Sequence, residues 1–169
     1  MLKTVVIGLG NPLLSDDRAG IAVTQALERL LDGRTGADIR QLHAGGVRLM
    51  EAMEGYERAI IADSMITGGA RPGSVRRASL SGPVLSGDTP GLNVASVHDM
   101  DLPTAIEAGR RIGLRLPDEI TVYGIEADDV KTFGEALSPA VEEAVSRVAG
   151  MIYEELVSDP ASGSDTEAG

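Results

Sequence analysis

The sequence contains no cysteine and no tryptophan. The first absence removes disulfides, thiol nucleophiles, iron–sulfur clusters and cysteine zinc sites together. The aromatic set is Tyr56, Tyr123, Tyr153 and Phe133, too few for a platform on which single-stranded nucleic acid stacks. Positive charge is scarce as well. Fifteen Lys+Arg stand against 26 Asp+Glu, a net charge of −11, and such a surface repels phosphate backbones and anionic lipid. No apolar run approaches the ~20 residues of a membrane span. Met1-Leu2-Lys3-Thr4 leads straight into a short apolar stretch, without a signal-peptide pattern. These absences predict a cytoplasmic protein that binds neither nucleic acid nor membrane.

What is present is a globular chain. Its 169 residues, 43% apolar and 24% charged, suit one domain with its own core. Strand and helix signals alternate. Thr4-Val5-Val6-Ile7, Ala37–Leu42, Ala59-Ile60-Ile61-Ala62 and Glu119–Ile125 read as strands, and Ser74–Leu80 as an antiparallel edge. Helical spacing runs through Val23, Ala26, Leu27, Leu30 and Leu31, then over Val47–Met53, and again from about Asp101-Leu102-Pro103 to Gly113. Ser138-Pro139 reads as a helix N-cap followed by a first-turn proline. The pattern predicts a three-layer α/β/α sandwich around a mostly parallel, twisted, five-stranded sheet with one antiparallel edge strand. Residues 1–157 form the expected domain, and 158–169 an acidic disordered tail.

In open α/β sheets, ligands bind beyond the carboxyl ends of the strands. Three polar sets fall there. Asn11–Asp17 follows the first strand, Asp63 and Ser64 follow the strand ending at Ala62, and Ser96, His98, Asp99 and Asp101 precede the middle helix. Carboxylates from two strand ends plus an imidazole suit a borderline divalent cation such as zinc or nickel. The same groups could do acid–base work. Asp16 or Asp17 could equally cap the helix that follows. His43, the other histidine, stands on a weaker strand.

Several motifs fail. Gly8-x-Gly10 opens like a dinucleotide fingerprint, but Leu13 holds the third glycine position and Gln41-Leu42-His43 replaces the expected acid. There is no Walker A pattern, no Gly-x-Ser-x-Gly elbow and no His-Glu-x-x-His. Gly8-Leu9-Gly10-Asn11-Pro12 also resembles the opening of bacterial peptidyl-tRNA hydrolases, yet the catalytic histidine that follows in those enzymes is missing here.

The run Gly8–Gly20, with its Asp16-Asp17 pair, resembles the opening signature of the [NiFe]-hydrogenase maturation proteases. Ile60-Ile61-Ala62-Asp63, Ser96-Val97-His98-Asp99, Tyr123-Gly124-Ile125-Glu126 and Leu137-Ser138-Pro139 match later segments of that family in order and spacing. The resemblance implies an endopeptidase that removes the C-terminal extension of a hydrogenase large-subunit precursor after nickel has been installed. It carries over Asp17, Asp63 and His98 as metal ligands and catalytic centre, with Asp16 as a supporting or capping residue. Nickel would arrive with the precursor, and other divalent metals could occupy the same site. The free protein would be a monomer. Two departures stand out: many members carry Glu where Asp17 stands, and Gln41–Gly46 replaces an Asp-Gly-Gly-Thr-like run. A non-catalytic nickel-binding chaperone using the same three ligands is the alternative, with peptidyl-tRNA hydrolase behind it.

Overall fold

Strand β1 (Thr4–Leu9) is buried along its whole length, as its unbroken apolar run requires. The computed structural model describes residues 3–34, 36–43, 45–81 and 102–158. After β1 come a 3-10 turn at Asp16–Arg18, helix α1 (Ala19–Leu31), strand β2 (Ala37–Leu42), helix α2 (Val47–Met53), strand β3 (Arg58–Met65) and strand β4 (Val75–Ser81). Helix α3 (Leu102–Arg111), strand β5 (Glu119–Glu126) and helix α4 (Pro139–Val157) complete the domain. The loop expected over residues 81–95 and the expected tail fall almost entirely outside the described residues, as do Ser96, His98, Asp99 and Asp101.

The sheet order is β2-β1-β3-β5-β4. Every pairing is parallel except β4 with β5, which is antiparallel. This is the expected α/β sandwich. One face of the sheet packs Val6, Ile60, Ala62, Tyr123 and Ile125 against α1 and α4. The other packs Val5, Ile7, Leu9, Ala59, Ile61 and Ile120 against α2 and α3. Strand alternation decides which side chain goes where.

From β1 the chain crosses to β2 on one side and afterwards to β3 on the other, so the β1/β3 boundary is the topological switch point. Two glycines allow α1 to close over it. A Cβ on Gly20 would stand 2.3 Å from the carbonyl oxygens of both Leu9 and Ala62, and one on Gly8 would stand 2.3 Å from the Gly20 carbonyl oxygen. Gly8 of the Gly-x-Gly signature therefore serves, with Gly20, backbone-to-backbone packing of helix on strand.

The third strand is longer than its apolar run suggests. It continues through Asp63, Ser64 and Met65 because β5 pairs with it as far as Met65↔Glu126, whereas its pairing with β1 ends at Gly8↔Ala62. Asp63 and Ser64, expected just past the strand, thus lie within it, where β1 has already turned away.

Candidate active site

Both acidic residues of the Asp16-Asp17 pair are buried, at 0% and 2% exposure, but they do different things. The Asp16 carboxylate accepts hydrogen bonds from the Asp128 and Asp129 amides at 2.9 and 3.0 Å, from the Ser138 amide at 2.8 Å and from the Ser138 hydroxyl at 2.8 Å. Its own amide donates to the Asp129 carbonyl at 2.8 Å. Four acceptor contacts on one carboxylate anchor the opening loop to the β5–α4 connection.

Neighbouring residues reinforce that seam. Leu14 and Phe133 form an antiparallel bridge, flanked by Ser15 N–H to Thr132 O and Gly134 N–H to Leu13 O, each at 3.0 Å. The Ser15 hydroxyl donates to Ala136 O at 2.9 Å, and an Arg18 Nη1 donates to Glu135 O. Within the connection, the Thr132 hydroxyl and amide and the Lys131 amide hold the Asp129 carboxyl below the usual carboxylate range.

The expected N-cap at Ser138 is present, without a side-chain capping bond; its backbone is extended and Pro139 follows it. The Ser138 hydroxyl donates to the buried Asp16 carboxylate, a charge-assisted bond. Nor does either aspartate cap the helix after it: neither the 3-10 turn nor α1 has a side-chain cap.

Asp17 faces the switch point. Its Oδ1 lies 3.3 Å from the Ser64 hydroxyl, which donates to it. Asp63, 7% exposed, accepts a 2.8 Å hydrogen bond on Oδ1 from the Ser64 amide. Ser64 therefore touches both residues, Asp17 through its hydroxyl and the preceding Asp63 through its amide, though the Asp63 side chain leaves β3 on the other face of the sheet. His43 is exposed and joins no cluster of three His, Asp or Glu able to hold a metal among the described residues.

His98 lies outside the described residues, four positions before α3 begins. Helix α3 buries Ala105 and Ile106 on the same sheet face as Ile61, and alternation puts Asp63 on that face too. It also precedes β5 by a short connection, so it runs back along the sheet with its first turn toward the strands' carboxyl ends.

Sequence reasoning gave Ser64 and Glu126 no role. The Glu126 carboxylate is 3% exposed and accepts from the Thr67 amide at 2.9 Å and the Thr67 hydroxyl at 3.0 Å, which fastens the β3–β4 turn beside the site. Position at a strand end was the available signal for both residues. Nothing in their local sequence separates them from ordinary strand-end polar residues.

Carboxylates such as those of Asp17 and Asp63 are donors of a kind that divalent cations accept; among the described residues no group of three or more His, Asp or Glu gathers to hold one.

Comparison with known proteins points the same way. A family model described as hydrogenase maturation protease (HycI) matches residues 21–155. The hydrogenase 2 maturation protease of Escherichia coli (strain K12) is 26% identical over 143 residues, covering 83% of this chain and 82% of the relative. Among solved structures, the hydrogenase maturating endopeptidase HybD from E. coli superposes with a TM-score of 0.73 at 22% identity, over 94% of each chain. The [NiFe] hydrogenase maturation protease HybD from Thermococcus kodakarensis gives 0.69 at 24% identity, over 92% of this chain and 99% of the other. At such identities the superpositions speak for the fold, while the family model, spanning most of the chain, speaks for descent. The chain belongs to the hydrogenase maturation protease family.

Proposed function

We propose that this peptidase removes the C-terminal extension of a nickel-loaded [NiFe]-hydrogenase large-subunit precursor, with Asp17, Asp63 and His98 at its centre. The observation that supports the reading is the contact of Asp17 with Ser64, the residue after Asp63, beside the β1/β3 switch point of a hydrogenase maturation protease. Two carboxylates and one imidazole form an incomplete coordination sphere, which leaves positions for groups from a partner. Nickel carried on the precursor would be the docking point. When bound there, it supplies Lewis-acid polarisation or a lowered water pKa close to the scissile peptide.

The chain's own residues do the rest. Asp17, in the turn before α1, and Asp63, on the central strand β3, supply oxygen donors, His98 completes the set, and Asp16 holds the loop that carries Asp17. The free enzyme is a monomer acting in the cytoplasm; among the described residues no helix is long and apolar enough to cross a membrane.

The test is the intact mass of a nickel-loaded precursor incubated with the native chain, Asp63→Asn or His98→Ala. Loss of a C-terminal segment with the native chain alone is the expected result, both variants keeping the native circular dichroism. Full cleavage by both variants would refute the assignment of the site. A precursor of unchanged mass in every incubation would turn the reading toward a metal-binding chaperone.

A further inference from the structure

The seam between the opening loop and the β5–α4 connection carries an exposed aromatic ring. Leu14 and Phe133 stand opposite each other in their antiparallel bridge. The two flanking hydrogen bonds, Ser15 N–H to Thr132 O and Gly134 N–H to Leu13 O, enclose the pair. It is therefore of the non-hydrogen-bonded kind, whose side chains share a face at close approach. Leu14 is half-buried, whereas Phe133 is 81% exposed. The chain's single phenylalanine belongs to neither apolar cluster of the core, so core packing does not account for its place.

Charge along the seam has one sign in excess. Residues 11–18 and 127–138 hold five Asp and Glu against Arg18 and Lys131. The Arg18 guanidinium gives Nη1 to the Glu135 carbonyl, and its Nε is buried. Asp128 and Glu135, on either side of Phe133 in the connection, are exposed. Among the described residues no cation forms an ion pair with either.

We infer that Phe133, with Asp128 and Glu135, is a docking shelf for a segment of the hydrogenase precursor that presents a lysine or arginine beside an aliphatic side chain. The inference rests on the proposed function. A cation over the ring face is attracted by the ring quadrupole, and the unpaired carboxylates on both sides add to that attraction. The aliphatic neighbour gains by covering apolar surface of the ring and of Leu14. An acidic segment would meet like charge instead. Leu14 lies three positions before Asp17 in the opening loop. A segment held at the shelf is thereby tethered beside the proposed centre, which raises the effective concentration of the peptide to be cut.

The experiment measures binding and cleavage of the nickel-loaded precursor at low and high salt by the full-length native chain, Phe133→Ser, Phe133→Tyr and the double variant Asp128→Asn with Glu135→Gln. Phe133→Ser should raise KM about 10-fold with kcat unchanged, and Phe133→Tyr should restore the native KM. The double variant should raise KM and lose most of the salt dependence of the native chain. Thermal melting should be native in all of them, since the three side chains are exposed. A native KM in Phe133→Ser would overturn the shelf and leave the proposed function standing. A KM indifferent to salt and to the double variant would overturn the cationic partner. A precursor bound but never cut, and bound about 10-fold more weakly by Phe133→Ser, would refute the peptidase and keep the shelf. A precursor neither bound nor cut would overturn both. A native dimer in sedimentation that Phe133→Ser dissolves would give the ring to a second copy of the chain and overturn the inference.

Discussion

Asp16 and Asp17 are chemically identical and adjacent, and their surroundings give them different work. The first is consumed by protein donors from residues 128, 129 and 138; the second meets the hydroxyl of Ser64. Replacing Asp16 with Ala leaves two amides of the β5–α4 connection, the Ser138 amide and its hydroxyl without their acceptor. Asp16 itself is buried, but these donors are only partly so, and each costs less than the about 1–3 kcal/mol of a fully buried orphaned group. We expect Asp16→Ala to lose about 3 kcal/mol of stability in urea unfolding followed by circular dichroism, and Asp17→Ala to lose much less. The family signature, read from sequence, singled out Asp17 from the pair. Its alignment could not show what occupied Asp16, because the partners lie 112 to 122 positions away. The contact of Ser64 with Asp17 was illegible for a related reason: it joins residues 47 positions apart, and no local pattern encodes it.

At the scale of elements, periodicity carried most of the information. Continuous apolar runs marked β1, β3 and β5 because these strands are covered on both faces, and β2 and α2 fall where spacing put them. What it missed was the extension of β3 past Ala62, which depends on how far β5 travels beside it. Helix α4 illustrates a second device hidden from spacing. Its Glu155 receives a 2.7 Å contact from Arg58 Nη2, a 3.1 Å contact from Arg77 Nε, and the Tyr123 hydroxyl, binding the helix to β3, β4 and β5. Burial and the bond to Glu155 push the Tyr123 phenol up to about 12 from 10.0. Ionisation is therefore harder in the folded chain than in the unfolded one. The stability this contributes is complete below pH 10 and disappears as pH rises through about 12. Absorbance at 295 nm should show one tyrosine ionising near that pH, and Tyr123→Phe should remove that step and flatten the alkaline fall in melting temperature.

Across the whole molecule, the chain's first and last segments build the same ground. Helix α1 and helix α4 share one apolar cluster, to which α4 adds Val141, Ala144, Val145, Val148, Ala149 and Ile152. Strand β5 lies between β3 and β4 in the sheet. A chain stopped at residue 118 lacks both β5 and α4; it should show no cooperative thermal transition by circular dichroism, whereas a chain ending at residue 158 should melt as one unit. The bonds from Asp16 to Ser138 span 122 positions. At a synthesis rate of about 5–20 residues per second, the ribosome adds Ser138 roughly 6–24 seconds after Asp16. Throughout that interval the nascent chain carries Asp17 without the clamp that holds its loop. An enzyme whose task is to finish another protein is itself finished only when its final helix has left the ribosome.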